Sequence, residues 1–279
     1  MRSLIHLTRL DKPIGIWLLF FPAGWAVAFA SEAGGGLLML LMLVGAAITR
    51  SAGCILNDLA DRKLDARVER TLNRPLASGA MKPWQAIALL VVLLVAALML
   101  ALMLPLTVLT LALLALPMIA AYPFMKRVTW WPQLFLGLTF NLGALMGWSA
   151  TGAPLTLPAF TLYAAAICWT LGYDTIYAVQ DMADDARVGI KSSARRVGTK
   201  HLKRFVALCY GLMLALLAFT GIWMDVGVLY YVGLGAMAAQ LLWQLRQLPC
   251  DAAQAGALFR SNQWAGLALL MGLTLHPLL

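Results

Sequence analysis

Acidic residues are scarce, twelve in a chain of 279, and most of them fall in two short stretches. The first is Asn57-Asp58-Leu59-Ala60-Asp61-Arg62-Lys63-Leu64-Asp65; the second comprises Asp174, Tyr177, Asp181, Asp184 and Asp185. Asp61 and Asp181 are 120 residues apart, as are Asp65 and Asp185, which makes a weak internal repeat. On a helix, Asn57, Asp61 and Asp65 recur every fourth position and form one stripe. Asp174, Tyr177, Asp181 and Asp185, at offsets of three, seven and eleven, form another. Like charges stacked in this way repel, so each stripe calls for positive charge beside it. Hard divalent cations are the natural counter-charge, and magnesium commonly takes one or two carboxylates, several waters and substrate phosphates. The bland alternative is solvated aspartates paired with Arg62, Lys63 or Arg187; two matched stretches in so acid-poor a chain weigh against it.

Basic residues stand beside the acids. Arg62, Lys63, Arg67, Arg70 and Arg74 follow the first stretch, Arg187, Lys191, Arg195 and Arg196 follow the second, and Lys126 and Arg127 lie between. Carboxylate–metal sites ringed by Arg and Lys suit a diphosphate, whose outer oxygens guanidinium groups grip bidentately. Membrane topology alone would also account for most of these bases. Arg50 is different, because it lies inside an apolar run, seven residues before Asn57 and so on the same helix face. An Arg in a membrane span costs about 2.5–3.5 kcal/mol on insertion scales and needs a partner. An aspartate of the site or the carboxylate of an anionic substrate would serve, and we favour the substrate.

The elements that must position these residues are membrane helices. Hydrophobic residues make up 62% of the chain and charged residues 12%, against roughly 45–50% and 25% in ordinary globular proteins. Such a composition excludes a conventional soluble domain and a disordered chain. Nine apolar runs are long enough to span a bilayer, at about 13–31, 37–57, 84–104, 106–122, 131–150, 155–175, 204–223, 226–245 and 260–278. Pro105 separates the third from the fourth. With nine spans the connections alternate between two sides. One side (31–36, 104–106, 150–155, 223–227 and the C-terminus) has no Lys or Arg. The other, with Arg50 and Arg260 near helix ends, holds all 21. The positive-inside rule places the N-terminus and the long loops in the cytoplasm, with the C-terminus opposite. The start of the chain mimics a secretory signal, but its long apolar run, Asp11, Pro13 and Pro22 read as a retained first helix. The net charge of +9 is therefore not a nucleic-acid footprint. Four cysteines without CxxC spacing predict neither disulfides nor zinc, and three scattered histidines, His6, His201 and His276, read as incidental. Glu32 and Asp225 read as solvated loop residues.

These residues carry a family resemblance. Asn57 to Asp65, N-D-x-x-D-x-x-x-D, resembles the first aspartate-rich motif of the UbiA superfamily of membrane prenyltransferases, and Arg70-Thr71-Leu72-Asn73-Arg74-Pro75-Leu76 extends it. Tyr173-Asp174-Thr175-Ile176-Tyr177-Ala178, Asp181-x-x-x-Asp185 and Gly189-Ile190-Lys191-Ser192 resemble the second motif in the branch that prenylates 4-hydroxybenzoate. Asp11-Lys12-Pro13-Ile14-Gly15 and Tyr122-Pro123-Phe124-Met125-Lys126-Arg127 agree with it. The resemblance implies an all-α integral membrane protein, nine transmembrane helices around a central cavity with a cytoplasmic cap. It implies a single polytopic domain over 1–279, with motif 1 at 57–79 and motif 2 at 173–192. It further implies a polyprenyl diphosphate donor, a 4-hydroxybenzoate acceptor, Mg2+ (two ions) and a place in ubiquinone biosynthesis, in a bacterial inner membrane. By motif match, Asn57, Asp61, Asp65, Asp181 and Asp185 would serve the metals. Arg70, Arg74, Lys126, Arg127 and Lys191 would serve the diphosphate. Arg50 and Asp174 would lie near the acceptor, with Tyr122 and Tyr177 in the substrate-binding set.

The expected chemistry is cleavage of an allylic C–O bond, with the charge on the departing diphosphate stabilised by metals and cations. A dry, apolar lining would protect the allylic cation from water. The ring carbon ortho to the phenol hydroxyl then attacks, and Asp174 is our choice of base for the ring proton. Asp61 and Asp181 complete the catalytic set. Other acceptors (homogentisate, a naphthoate, a haem or a chlorophyll precursor) are the alternatives within the family. A cation transporter is the alternative outside it; against that, the acids gather at one membrane face and leave no charged path across.

Overall fold

The computed structural model describes residues 2–31, 35–66 and 71–275; Glu32, Arg67, Arg70 and His276 lie outside the described residues. The chain is built from helices, with no strand among the described residues. In order they are α1 (Arg2–Leu7), α2 (Ile14–Ala30), α3 (Gly36–Asp65), α4 (Pro83–Leu102), α5 (Leu106–Val128), α6 (Pro132–Phe140) and α7 (Leu142–Ala150). There follow α8 (Leu157–Tyr177), α9 (Met182–Arg187), α10 (Ser193–Val197), α11 (Thr199–Trp223), α12 (Val228–Arg246) and α13 (Ala252–Leu275). Each apolar run of the sequence falls on one of these helices or, for 131–150, on the pair α6 and α7. Among the described residues five helices, α3, α4, α5, α11 and α12, are long and apolar enough by themselves to cross a membrane, and α2 is a shorter apolar helix.

Three departures from the sequence expectation matter for the site. First, α3 does not stop near residue 57. Its 30 residues make a rod of about 45 Å, against a hydrocarbon core of about 30 Å, so its last turns carry the first acidic stretch beyond the apolar layer. Second, the run 131–150 is not one helix. It breaks at Asn141, whose buried side chain donates to Gly137 O at 2.7 Å and to Thr170 Oγ1 at 2.9 Å. A side-chain amide that bonds the backbone competes with the helical ladder. Third, the second acidic stretch is not one helix. α8 ends at Tyr177, residues Ala178–Asp181 form a 3-10 turn, and α9 begins at Met182.

Helices α2, α7, α8, α11, α12 and α13 form the dense half of the bundle, where α8 lies on α11, α12 on α13 and α2 on α7. Trp25 and Trp169 are fully buried at its centre, their rings 5.0 Å apart. Their indole N–H groups donate to Gly266 O (3.1 Å) and Asn262 Oδ1 (3.0 Å). Tyr210 donates to Gln244 Oε1 at 2.7 Å, and Gln244 Nε2 reaches Ser261 Oγ at 3.0 Å. Where hydrocarbon offers no water, buried polar groups find partners inside the protein. Glycine sets the α12–α13 approach, since a Cβ on Gly233 would stand 2.7 Å from Ala268 O and 3.0 Å from the Gly272 Cα. By contrast α4 buries only Ala86 and Ala101 and leaves Ile87, Val92 and Met99 exposed. An apolar face of this kind suits lipid rather than water.

Candidate functional site

A cavity of about 1870 Å³ opens among α2, α3, α5, α8 and the ends of α9 and α13. Its wall changes character along its length. Leu94, Leu98 and Ala101 of α4 and Val108, Ala112 and Leu116 of α5 line an apolar part, and the two acidic stretches line the polar part. Asn57, Asp61 and Asp65 face it from α3, Asp174 and Tyr177 from α8, and Asp181 and Asp185 from the turn and α9. Arg50, Arg74, Tyr122, Lys126 and Lys191 line the same cavity. The two stretches, distant in sequence, thus share one pocket. Arg127 contacts the site from its margin, half-exposed, through Asp61 and the Phe124 ring. Arg70 lies outside the described residues.

The first stretch sits in a net of cations supplied by the chain. Lys126 pairs with Asp61 Oδ2, and Arg127 reaches Oδ1 at 3.4 Å. Arg74 bridges Asp58 (3.1 Å) and Asp65 (2.8 Å). Asp58, buried, also receives Arg9 Nη2 on both oxygens, at 2.9 and 3.0 Å. Arg9 holds a left-handed φ of 57°, an unfavourable conformation for a residue with a Cβ, so Asp58 fixes a strained turn between α1 and α2. Burial would pull the Arg74 pKa down, but Asp58 and Asp65 outweigh it and raise it above the ordinary arginine value. Bases expected to hold a diphosphate therefore hold carboxylates here. Arg62 and Lys63 point to solvent.

Backbone oxygens close the loop that follows the second stretch. Arg195 Nη1 donates to Asp185 O at 3.2 Å and to Ile190 O, closing the loop after α9. The Lys191 N–H donates to Lys126 O at 2.9 Å and its Nζ to Val128 O at 3.1 Å. The end of α5 and the second motif are thereby tied together. Arg187 and Asp184 form an exposed pair at 3.3 Å.

Arg50 and Asp174 lie deeper. No carboxylate among the described residues lies within ion-pair distance of Arg50, whose guanidinium sits over the Phe140 ring at 5.9 Å. Arg50 and Asp181 are the charged groups whose fields reach Asp174, and Tyr122 stands in the fields of Asp174, Arg50, Tyr177 and Asp61. Phe259 of α13 covers Tyr177 at 4.4 Å and Tyr173 at 5.7 Å.

Sequence reasoning missed the bond between Asp58 and Arg9, which no local spacing announces across 49 residues. It also missed Arg260, which we read as marking topology but which lines the cavity from α13. A lone base at an apolar helix end, followed by Asn262 and Gln263, was the available signal.

Residues 19–267 match the UbiA prenyltransferase family. This chain belongs to that family. A Caenorhabditis elegans protein named 4-hydroxybenzoate polyprenyltransferase, mitochondrial, is 44% identical over 284 residues, covering 100% of this chain and 80% of the relative. A 4-hydroxybenzoate octaprenyltransferase of Pseudomonas savastanoi pv. phaseolicola is 40% identical over 273 residues, covering 96% and 91%. Among solved structures, the apo UbiA homologue from Aeropyrum pernix K1 superposes with a TM-score of 0.76 at 24% identity, covering 92% of this chain and 95% of the other. A UbiA homologue from Archaeoglobus fulgidus bound to GPP and Mg2+ superposes with a TM-score of 0.73 at 18% identity, covering 96% and 99%. At those identities the structural likeness speaks for the fold: an all-helical UbiA membrane architecture.

Proposed function

We propose that this chain transfers the polyprenyl group of a polyprenyl diphosphate to the ring carbon ortho to the hydroxyl of 4-hydroxybenzoate, a step of ubiquinone synthesis. Relatives at 40–44% identity carry that activity in their names. The observation that carries the reading is that both acidic stretches and Arg50, which has no carboxylate partner among the described residues, line one cavity with an apolar extension.

The donors suit magnesium. The Asn57 amide and the carboxylates of Asp61, Asp65, Asp181 and Asp185 offer oxygen, the ligand that ion prefers. Among the described residues no three carboxylate, imidazole or thiol groups converge into a ready-made cage. That favours an ion completed by water and phosphate over one caged by protein alone. We assign two ions, shared between the stretches. Bound with the diphosphate, they supply charge neutralisation to the leaving group.

The chain's own residues do the rest. Lys126, Arg127 and Lys191, with Arg74 and Arg70, hold diphosphate oxygens, Arg74, Lys126 and Arg127 exchanging carboxylate partners for phosphate. Arg50 holds the acceptor carboxylate. Tyr122, Tyr177 and Phe259 exclude water from the reacting carbon. The allylic C–O bond breaks, the ring carbon bonds to the prenyl carbon, and Asp174 accepts the ring proton. The apolar wall of α4 and α5 receives the isoprenoid tail.

We assign nine membrane spans, with α6 and α7 forming one, in a single domain whose loops cap the cavity on the cytoplasmic side of a bacterial inner membrane. Segregation of Lys and Arg supports that orientation. A reporter fused at the C-terminus should read the opposite face; a cytoplasmic signal would overturn it. The reaction is tested with detergent-purified protein, magnesium, a series of prenyl diphosphates, and 4-hydroxybenzoate against other aromatic acids, with products read by mass. Prenylated 4-hydroxybenzoate is expected. Product from another acid alone would move the assignment to that acceptor, and an untouched diphosphate would remove it.

A further inference from the structure

The Asp11-Lys12-Pro13-Ile14-Gly15 segment also lines the cavity, and Gly15 lies against Arg50. Gly15 is buried in the first turn of α2, and a Cβ built on it would collide with Arg50 Nε and stand 3.0 Å from both Cζ and Nη2. The guanidinium occupies the space that any other side chain at position 15 would fill. Its opposite contact is the Phe140 ring, 5.9 Å from Cζ, at the end of α6 just before the break at Asn141. Arg50 is thus held between a bare stretch of helix backbone and an aromatic ring, with no carboxylate partner among the described residues.

A long side chain held by shape on two sides loses less conformational freedom when it meets an anion than one that must first be ordered. We propose that Gly15 is a positioning residue for acceptor recognition: its missing side chain seats the Arg50 guanidinium where it meets the carboxylate of the aromatic acid. This rests on the reading of Arg50 given above. The positive φ that commonly explains a glycine is absent at Gly15. Alanine is ordinarily the better residue in a helix, so a loss caused by Gly15→Ala would come from the displaced guanidinium.

The experiment compares Gly15→Ala, Arg50→Ala and the double variant in detergent with magnesium. Gly211, on α11 with nothing near its Cβ position, serves as a control through Gly211→Ala. Gly15→Ala should raise the KM for 4-hydroxybenzoate by about tenfold, the scale of one weakened charge-assisted hydrogen bond, while the KM for prenyl diphosphate and the melting temperature stay put. In the Arg50→Ala background, Gly15→Ala should add nothing. If Arg50→Ala leaves the acceptor KM unchanged, the reading of Arg50 itself fails. If Arg50→Ala raises it and Gly15→Ala does not, or if Gly15→Ala acts equally in both backgrounds, Gly15 has no positioning role. Should Gly15→Ala lower the melting temperature, the same coupling decides, because a general folding defect would persist without Arg50.

Discussion

The two acidic stretches have matching spacing in sequence and different construction in space. Asn57 to Asp65 ride one unbroken helix, and each aspartate of that stretch is paired with Arg9, Arg74, Lys126 or Arg127. Asp174 to Asp185 cross a helix end, a 3-10 turn and a new short helix, with the following loop fastened by Arg195 to carbonyl oxygens. The first stretch is a straight bar whose aspartates pair with cationic side chains; the second is jointed at its 3-10 turn, and the loop after it is closed on backbone oxygens. Equal residue spacing therefore does not imply equal geometry. What decides is whether the helix continues.

The comparison can be broken most forcefully at one aspartate from each side. Asp61→Ala and Asp181→Ala should each lower prenyl transfer by about three orders of magnitude or more, as expected when charge stabilisation of a leaving group is lost, while both proteins still extract and migrate as folded membrane proteins. Near-normal turnover by both variants in magnesium would dissolve the site. Chelation should abolish turnover in the unaltered protein and added magnesium restore it, measured as product formed before and after EDTA.

Lys126→Met sharpens the contrast, because Lys126 pairs with Asp61 and is also proposed to hold phosphate. Turnover should fall by about 10- to 100-fold, yet half-saturation by magnesium should come at lower concentration, since Asp61 loses one of its two competing cations. An unchanged magnesium requirement would show that the pair does not compete with the ion. Asp58→Asn removes the charge that Arg9 and Arg74 share. It should cost about 1–3 kcal/mol of stability, the range for leaving partly buried charges unpaired, with a smaller effect on turnover. Thermal unfolding in detergent separates the two. The smallest change is expected from Asn141→Ala, about 1 kcal/mol, as the α6–α7 break loses its side-chain bonds to Gly137 O and Thr170.

Much of this molecule is legible in its sequence. Apolar runs of membrane length have one regular backbone solution, so the positions of α2 to α5, α8 and α11 to α13 followed from the sequence. That Asp61, Asp181, Arg50 and Lys126 line one cavity accords with their being costly residues in an apolar chain that need a shared reason. Local departures are not legible there. The break at Asn141 depends on Thr170 from another helix, and the 3-10 turn after Tyr177 places four residues where the spacing allowed a continuous α-helix. Asp58 looked like a neighbour of the stripe; its importance depends on Arg9, which only the fold brings near.

One feature of the cavity reaches beyond the reaction. Charge gathers at one end of its wall and leucine and valine at the other, along α4 and α5. A guest with a head and a tail of opposite solubility can be accommodated in only one sense, so the vessel itself acts as a compass before any single contact forms.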